Sequence, residues 1–142
     1  MITYDAKIRV RYGETDKMGF LYHAHYVDYY DVARTEALRS VGTSNRELED
    51  RGVMLPVIDV GLKYKQPARY DDLLTVRVRV SPPAIKWRFD YEVYRENGEL
   101  INTGHVVLGF MNSQTQRACR PPEWFLERLA PYFEETTGVS VR

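Results

Sequence analysis

Glu14, Asp16, Tyr22, His23 and His25 are the densest group of reactive side chains in the sequence. They fall between an alternating apolar–polar segment and a long helical pattern, so the acids sit in a loop that leads into a helix. The first turn of a helix presents main-chain N–H groups without intrahelical partners, at the positive end of the helix dipole. A carboxylate beside such a turn supplies an acid, base or nucleophile next to a site that binds a developing oxyanion. Those two parts are the minimum for cleaving an acyl bond. Taken by itself the pattern is more often that of a helix cap or a solvated turn, and histidines near a helix start are more often surface or packing residues than catalysts. His23 and His25 are two positions apart and cannot share a helix face, so they make a poor metal pair. Cys119 is the only cysteine, and no Cys/His spacing reads as a metal site. No cofactor or metal is expected.

The elements that must hold these residues can be read from periodicity. Residues 7–12 alternate Ile8, Val10 and Tyr12 with Lys7, Arg9 and Arg11, the pattern of a half-buried strand. From about Ala24, Tyr26, Tyr30, Ala33, Ala37 and Val41 recur at helical intervals, and Gly42 is a natural stop. Val27, Val32 and Leu38 lie off that stripe, so the helix is expected to be covered on several sides. Ser44 with Glu47 forms a capping box for a short helix ending before Gly52. From Val53 to about residue 120 the chain reads as strands. These are Leu55 to Lys65, closed by Pro67; Leu74 to Val80, broken at Pro82-Pro83; Trp87 to Val93; and, after the Asn97-Gly98 turn, Leu100 to Met111. Pro121-Pro122-Glu123 opens a terminal helix carrying Trp124, Phe125, Leu129 and Phe133. Short connections between successive strands imply an antiparallel sheet, and one strongly apolar helix must be buried against it. The expected architecture is α+β, a curved antiparallel sheet of about five strands wrapped round one long helix, as a single domain over residues 1–142.

Composition narrows the function classes. The 142 residues carry 20 Lys+Arg and 20 Asp+Glu, so a protein built to neutralise nucleic-acid phosphate is excluded. No apolar run approaches the length of a bilayer span or a signal peptide, and a soluble cytoplasmic protein without a membrane or nucleic-acid partner is expected.

The run Arg11-Tyr12-Gly13-Glu14-Thr15-Asp16-Lys17-Met18-Gly19-Phe20-Leu21-Tyr22-His23-Ala24-His25-Tyr26, continuing into Asp31 to Glu36, resembles the signature of the hotdog-fold acyl-CoA thioesterases of the 4-hydroxybenzoyl-CoA thioesterase type. Pro56-Val57, Tyr64 to Asp72 and Trp87 to Arg95 extend the resemblance over most of the chain. It implies hydrolysis of the thioester of a small or medium acyl-CoA to free acid and CoA. Coenzyme A would be part of the substrate, and an acyl carrier protein an alternative acyl donor. The acting carboxylate would match Asp16. The main-chain N–H that polarises the thioester carbonyl would match His23, with Tyr22 shaping that turn. The resemblance also implies homodimers with interface active sites, associating into homotetramers.

Two positions depart from the family pattern. His25 stands where Asn or Ser is frequent and would hydrogen-bond in their place near substrate. Lys86 replaces a small Ser, and the resemblance makes it, with Arg88, a candidate for the coenzyme A phosphates; Arg120 is a weaker basic candidate. Met18, Phe20, Val53 and Met54, with partner residues, would set pocket depth. Glu36 is the rival carboxylate, but it lies about three turns into the helix and reads as an ion-pair partner for Arg34 or Arg39. A non-catalytic acyl-thioester binder of the same fold is the main alternative, and a hotdog dehydratase or hydratase ranks below it.

Overall fold

The structure, a computed structural model, describes residues 2–133. Strand β1 (Ile2–Arg9) passes through a single 3-10 turn (Tyr12–Glu14) to the long helix α1 (His25–Ser40) and the short helix α2 (Asn45–Asp50). Strands β2 (Val53–Met54), β3 (Val57–Tyr64), β4 (Leu73–Val80), β5 (Lys86–Tyr94), β6 (Leu100–Gly109) and β7 (Met111–Asn112) precede helix α3 (Glu123–Phe133). The expected first strand lies earlier than its alternation indicates. Its pairing with β4 runs from Ile2↔Val80 to Arg9↔Leu73, and Tyr12 is an exposed turn residue. Ser44 caps α2 as expected, its hydroxyl accepting the Glu47 N–H at 3.1 Å.

Five strands form one antiparallel sheet in the order β1-β4-β5-β6-β3, and β2 pairs with β7 apart from it. The run of apolar residues from Leu55 to Lys65 is therefore not one neighbour in a simple meander. Residues 65–72, broken by Pro67, carry the chain away from β3, which takes the far edge beside β6.

Alternation fixes which side of the sheet is buried. Val76, Val78 and Val80 of β4 and Trp87, Phe89, Tyr91 and Val93 of β5 all face inward and are fully buried. Helix α1 lies on that face through Tyr26, Tyr30, Ala33 and Ala37, the small alanines letting its backbone approach the sheet. Each large side chain so buried contributes about 1.5–3 kcal/mol relative to exposure. The Tyr30 ring stacks on Tyr91 with centroids 4.1 Å apart. Its hydroxyl lies over Gly104, where a Cβ would come 2.7 Å from the Gly61 carbonyl oxygen as well as striking the phenol. The helix is covered on fewer sides than its composition implies. Leu38 is buried, Val27 is half-buried, and Val32 remains 46% exposed. Phe125 and Leu129 anchor α3 under the sheet, with the Phe125 ring 5.4 Å from Trp87. Among the described residues, no helix is long and apolar enough to cross a membrane.

Candidate active site

The loop between β1 and α1 is fastened at both ends. Glu14 is buried and accepts three hydrogen bonds: from the Arg11 N–H and guanidinium, each at 2.9 Å, and from the Tyr29 hydroxyl at 2.7 Å. The Arg11 guanidinium, opposed in part by burial, holds the Glu14 carboxyl down to about 2. Burial, then the Glu14 bond, pushes Tyr29 well above the usual phenol range. Glu14 thus ties the loop to the first turns of α1 and is not free for acid–base work. Because its folded pKa is depressed, its contribution to stability is complete above the ordinary carboxyl value of 4.5. That contribution disappears as pH falls from there towards 2. Glu14→Ala is expected to cost about 1–3 kcal/mol at neutral pH. Urea unfolding followed from pH 7 to pH 2 checks it, the variant and wild type converging at the acid end.

Asp16 opens a tight turn. Its N–H donates to the Phe20 carbonyl at 2.8 Å, and its own carbonyl accepts the Gly19 N–H at 3.0 Å. Gly19 has φ +81°, a conformation that side chains with a Cβ rarely adopt. The Asp16 Oδ1 accepts the N–H groups of Met18 at 2.9 Å and Phe20 at 3.2 Å. Among the described residues Oδ2 has no hydrogen-bond partner, so one carboxylate oxygen is anchored and the other is free. The turn is clamped from outside by the Leu21 N–H donating to the Ala68 carbonyl at 2.7 Å.

The chain then enters α1. The Tyr22 N–H donates to the Glu14 carbonyl, and the Tyr22 carbonyl accepts the His25 N–H at 3.0 Å. Among the described residues, the N–H groups of His23 and Ala24 meet no acceptor. Asp16 and His23 line one open cavity of about 290 Å³, shared with Met18, Phe20, Tyr26 and Tyr64. A carboxylate side chain and a helix-start residue with an unpaired N–H, Asp16 and His23, therefore line one space, the two kinds of group that acyl transfer uses.

The other expected site residues divide. Met18 and Phe20 line this cavity, whereas Val53 and Met54 pair with β7 and do not. Tyr22 shapes the turn through its main chain; its side chain is exposed and packs on the His23 ring at 4.3 Å. His25 bonds Asp28 on the same helix at 3.0 Å and is not part of the cavity wall. Arg88 is ion-paired with Asp90 at 3.0 Å on the outer sheet face, beside a separate cavity of about 480 Å³. Lys86 faces a third cavity, of about 500 Å³, together with Arg120, Ile85 and Glu123. Glu36 pairs with Arg39 on the helix surface, while Arg34 turns inward to Asp31 and the Tyr91 hydroxyl. Tyr26, Tyr64 and Gln66 enter the cavity wall without having been singled out from sequence. In the sequence Tyr26 reads as a helix-stripe position at the end of the family motif, and Tyr64 and Gln66 only as parts of a strand and the family motif.

Comparison with known proteins identifies the family and the fold. The family model described as the thioesterase-like superfamily matches residues 10–129. The chain is 36% identical over 125 residues to YneP of Bacillus subtilis, covering 83% of this chain and 89% of that protein. It is 33% identical over 102 residues to the acyl-CoA thioester hydrolase YbgC of Escherichia coli, covering 71% and 76% respectively. The crystal structure of the DHNA-CoA thioesterase from Staphylococcus aureus superposes with a TM-score of 0.85 at 30% identity, over the whole of both chains. A 4-hydroxybenzoyl-CoA thioesterase structure, 18% identical with a TM-score of 0.79 over 90% of this chain and 99% of that one, shares the fold. The chain belongs to the thioesterase-like superfamily and has its hotdog fold, α1 being the central helix within the curved sheet.

Proposed function

We propose that the protein hydrolyses acyl-CoA thioesters, with Asp16 as the acting carboxylate and the main-chain N–H of His23 as oxyanion donor. The observation that carries this reading is Asp16, with its free Oδ2, lining one cavity with His23, whose N–H is unpaired among the described residues. A thioester carbonyl is poorly stabilised by resonance, so it accepts a nucleophile readily, and the thiolate leaves without a strong acid. In the sequence of events, the carbonyl oxygen docks on the His23 N–H and charge develops there as the carbon becomes tetrahedral. Asp16 either takes a proton from the attacking water or attacks the carbon itself to form an anhydride that water opens. The C–S bond breaks, the new C–O bond makes the acid, and the proton taken from water ends on the departing thiol. Removal of one oxyanion donor in acyl-transfer enzymes costs about 2.7–4 kcal/mol, which makes the helix start as important as the carboxylate.

The cavity of about 290 Å³ suits a small or medium acyl group. Lys86, without an ion-pair partner among the described residues, shares its cavity with Arg120, and this pair is the candidate for coenzyme A phosphate, Arg88 being held by Asp90. Acyl carrier protein is the other donor to try. β3 is an edge strand exposing Val57, Ile58 and Val60, a template for pairing with a second copy of the chain. A homodimer joined there would wall the Asp16 cavity from the partner side, and a homotetramer would follow from further association.

One experiment tests the reading: thiol release from a panel of aryl- and alkyl-CoA thioesters, with the sedimentation mass of the protein measured alongside. Turnover of at least one thioester by an oligomer is expected, and Lys86→Ala should raise KM several-fold with kcat unchanged. Binding without thiol release would favour the non-catalytic alternative.

A further inference from the structure

Tyr64 stands at the end of the edge strand β3, yet its hydroxyl reaches the start of the central helix, donating to the His23 carbonyl at 2.9 Å. That carbonyl is available because the helix does not use it: the Val27 N–H goes to the Ala24 carbonyl at 3.3 Å. The His23 carbonyl and the Ala24 N–H belong to one peptide unit. A hydrogen bond accepted by its oxygen fixes the plane of that unit and polarises its N–H. The same bond restrains the turn from which the His23 N–H projects.

The position of Tyr64 is itself fixed from the core. Asn102, fully buried, is its register partner on β6 and donates through Nδ2 to the Lys63 carbonyl at 3.2 Å. Asn102 Oδ1 in turn accepts the Tyr30 hydroxyl from α1. Just past Tyr64, the N–H groups of Lys65 and Gln66 both donate to the Ile101 carbonyl, at 2.9 and 3.1 Å. The phenol ring packs edge-on against Tyr26 at 5.4 Å and His23 at 6.4 Å. A polar chain thus leaves the middle of α1 at Tyr30, crosses β6 and β3, and returns to the helix start at His23.

We infer that Tyr64 is a positioning residue for the oxyanion site: its hydroxyl holds the His23–Ala24 peptide, and with it the turn that sets the His23 N–H at the cavity. This rests on the thioesterase reading for its catalytic consequence, but the hydrogen bond itself is testable without activity. Tyr64→Phe keeps the ring and removes only the hydroxyl, at a half-exposed position where the fold does not depend on it. It is expected to lower kcat about tenfold, the usual size for one such bond, with KM for acyl-CoA within about twofold. In ¹H–¹⁵N spectra of the same proteins, the Ala24 amide should shift upfield in the variant and exchange faster, with the dispersion of the remaining spectrum kept.

An unchanged kcat in Tyr64→Phe would overturn the proposal. So would a loss carried by KM, which would make Tyr64 a substrate contact, or an unmoved Ala24 amide. If the wild type released thiol from no thioester, the thioesterase reading would fall. The amide shift would still decide whether Tyr64 organises the helix start.

Discussion

Asp16→Asn is expected to lower kcat for acyl-CoA hydrolysis by about 10²–10⁴-fold while leaving the fold and substrate KM nearly unchanged. The substitution suits the geometry. An asparagine Oδ1 can still accept the Met18 and Phe20 N–H groups, so the turn that places the side chain survives. What changes is the free oxygen, replaced by an amide nitrogen that carries no charge, takes no proton and does not attack carbon. Glu36→Ala is the control, since Glu36 is paired with Arg39 along the helix and is absent from the cavity wall. Its kcat should stay within about twofold, the behaviour of a surface ion pair remote from the chemistry. Loss of turnover in Glu36→Ala with retention in Asp16→Asn would transfer the role to the helix carboxylate. Initial rates of thiol release for the three proteins, over a range of substrate concentrations, make the comparison.

Gly104→Ala is the second large effect, and it falls on stability. The added methyl would strike the Tyr30 phenol and sit 2.7 Å from the Gly61 carbonyl oxygen, a main-chain atom of the neighbouring strand that cannot rotate away. Either Tyr30 leaves its place over the sheet, giving up its stacking on Tyr91 and its bond to Asn102, or β3 and β6 separate. Overpacking of this kind costs about 1–3 kcal/mol or more, a fall of about 3–10 °C in thermal midpoint for a chain of this size. Gly13→Ala, where a Cβ meets nothing within 4 Å, should stay within about 0.5 kcal/mol of wild type. Circular dichroism melts of both variants read the difference, and equal midpoints would show that the Tyr30 approach is not tight.

The parts of the fold legible in the sequence are those set by local periodicity. The stripe of Tyr26, Tyr30, Ala33 and Ala37 and the stop at Gly42 locate α1 to within a residue or two, and Ser44 with Glu47 locates α2. The alternation from Leu74 to Val80 and from Trp87 to Val93 locates β4 and β5 and identifies their buried faces. What local pattern does not encode is which strands pair. β3 lies beside β6 rather than β4 because the Pro67 connection carries the chain away from that edge. The start of β1 escapes for a related reason: Ile2 and Thr3 are buried by pairing with β4, far away in sequence.

The candidate site divides in the same way. Asp16 and His23 are close in sequence, and one motif holds both, so their meeting could be anticipated. Tyr64 meets His23 across 41 positions, and only the register of β3 on β6 brings it there. The basic residues show the converse. Lys86 and Arg88 are two apart on one strand, yet Asp90 claims Arg88 and the start of α3 brings Arg120 to Lys86. Arg88 and Asp90 share one face of β5 by alternation, whereas the approach of Arg120 to Lys86 is made by the chain entering α3, which no spacing rule records.

The most direct test is a single turnover with protein in excess over one acyl-CoA, run for the wild type and Asp16→Asn and quenched at intervals. The wild type should convert the bound thioester completely to acid and free thiol, while the asparagine protein binds it and holds it uncleaved. Intact thioester recovered from the wild type, or cleavage at equal rates by both proteins, would contradict the assignment.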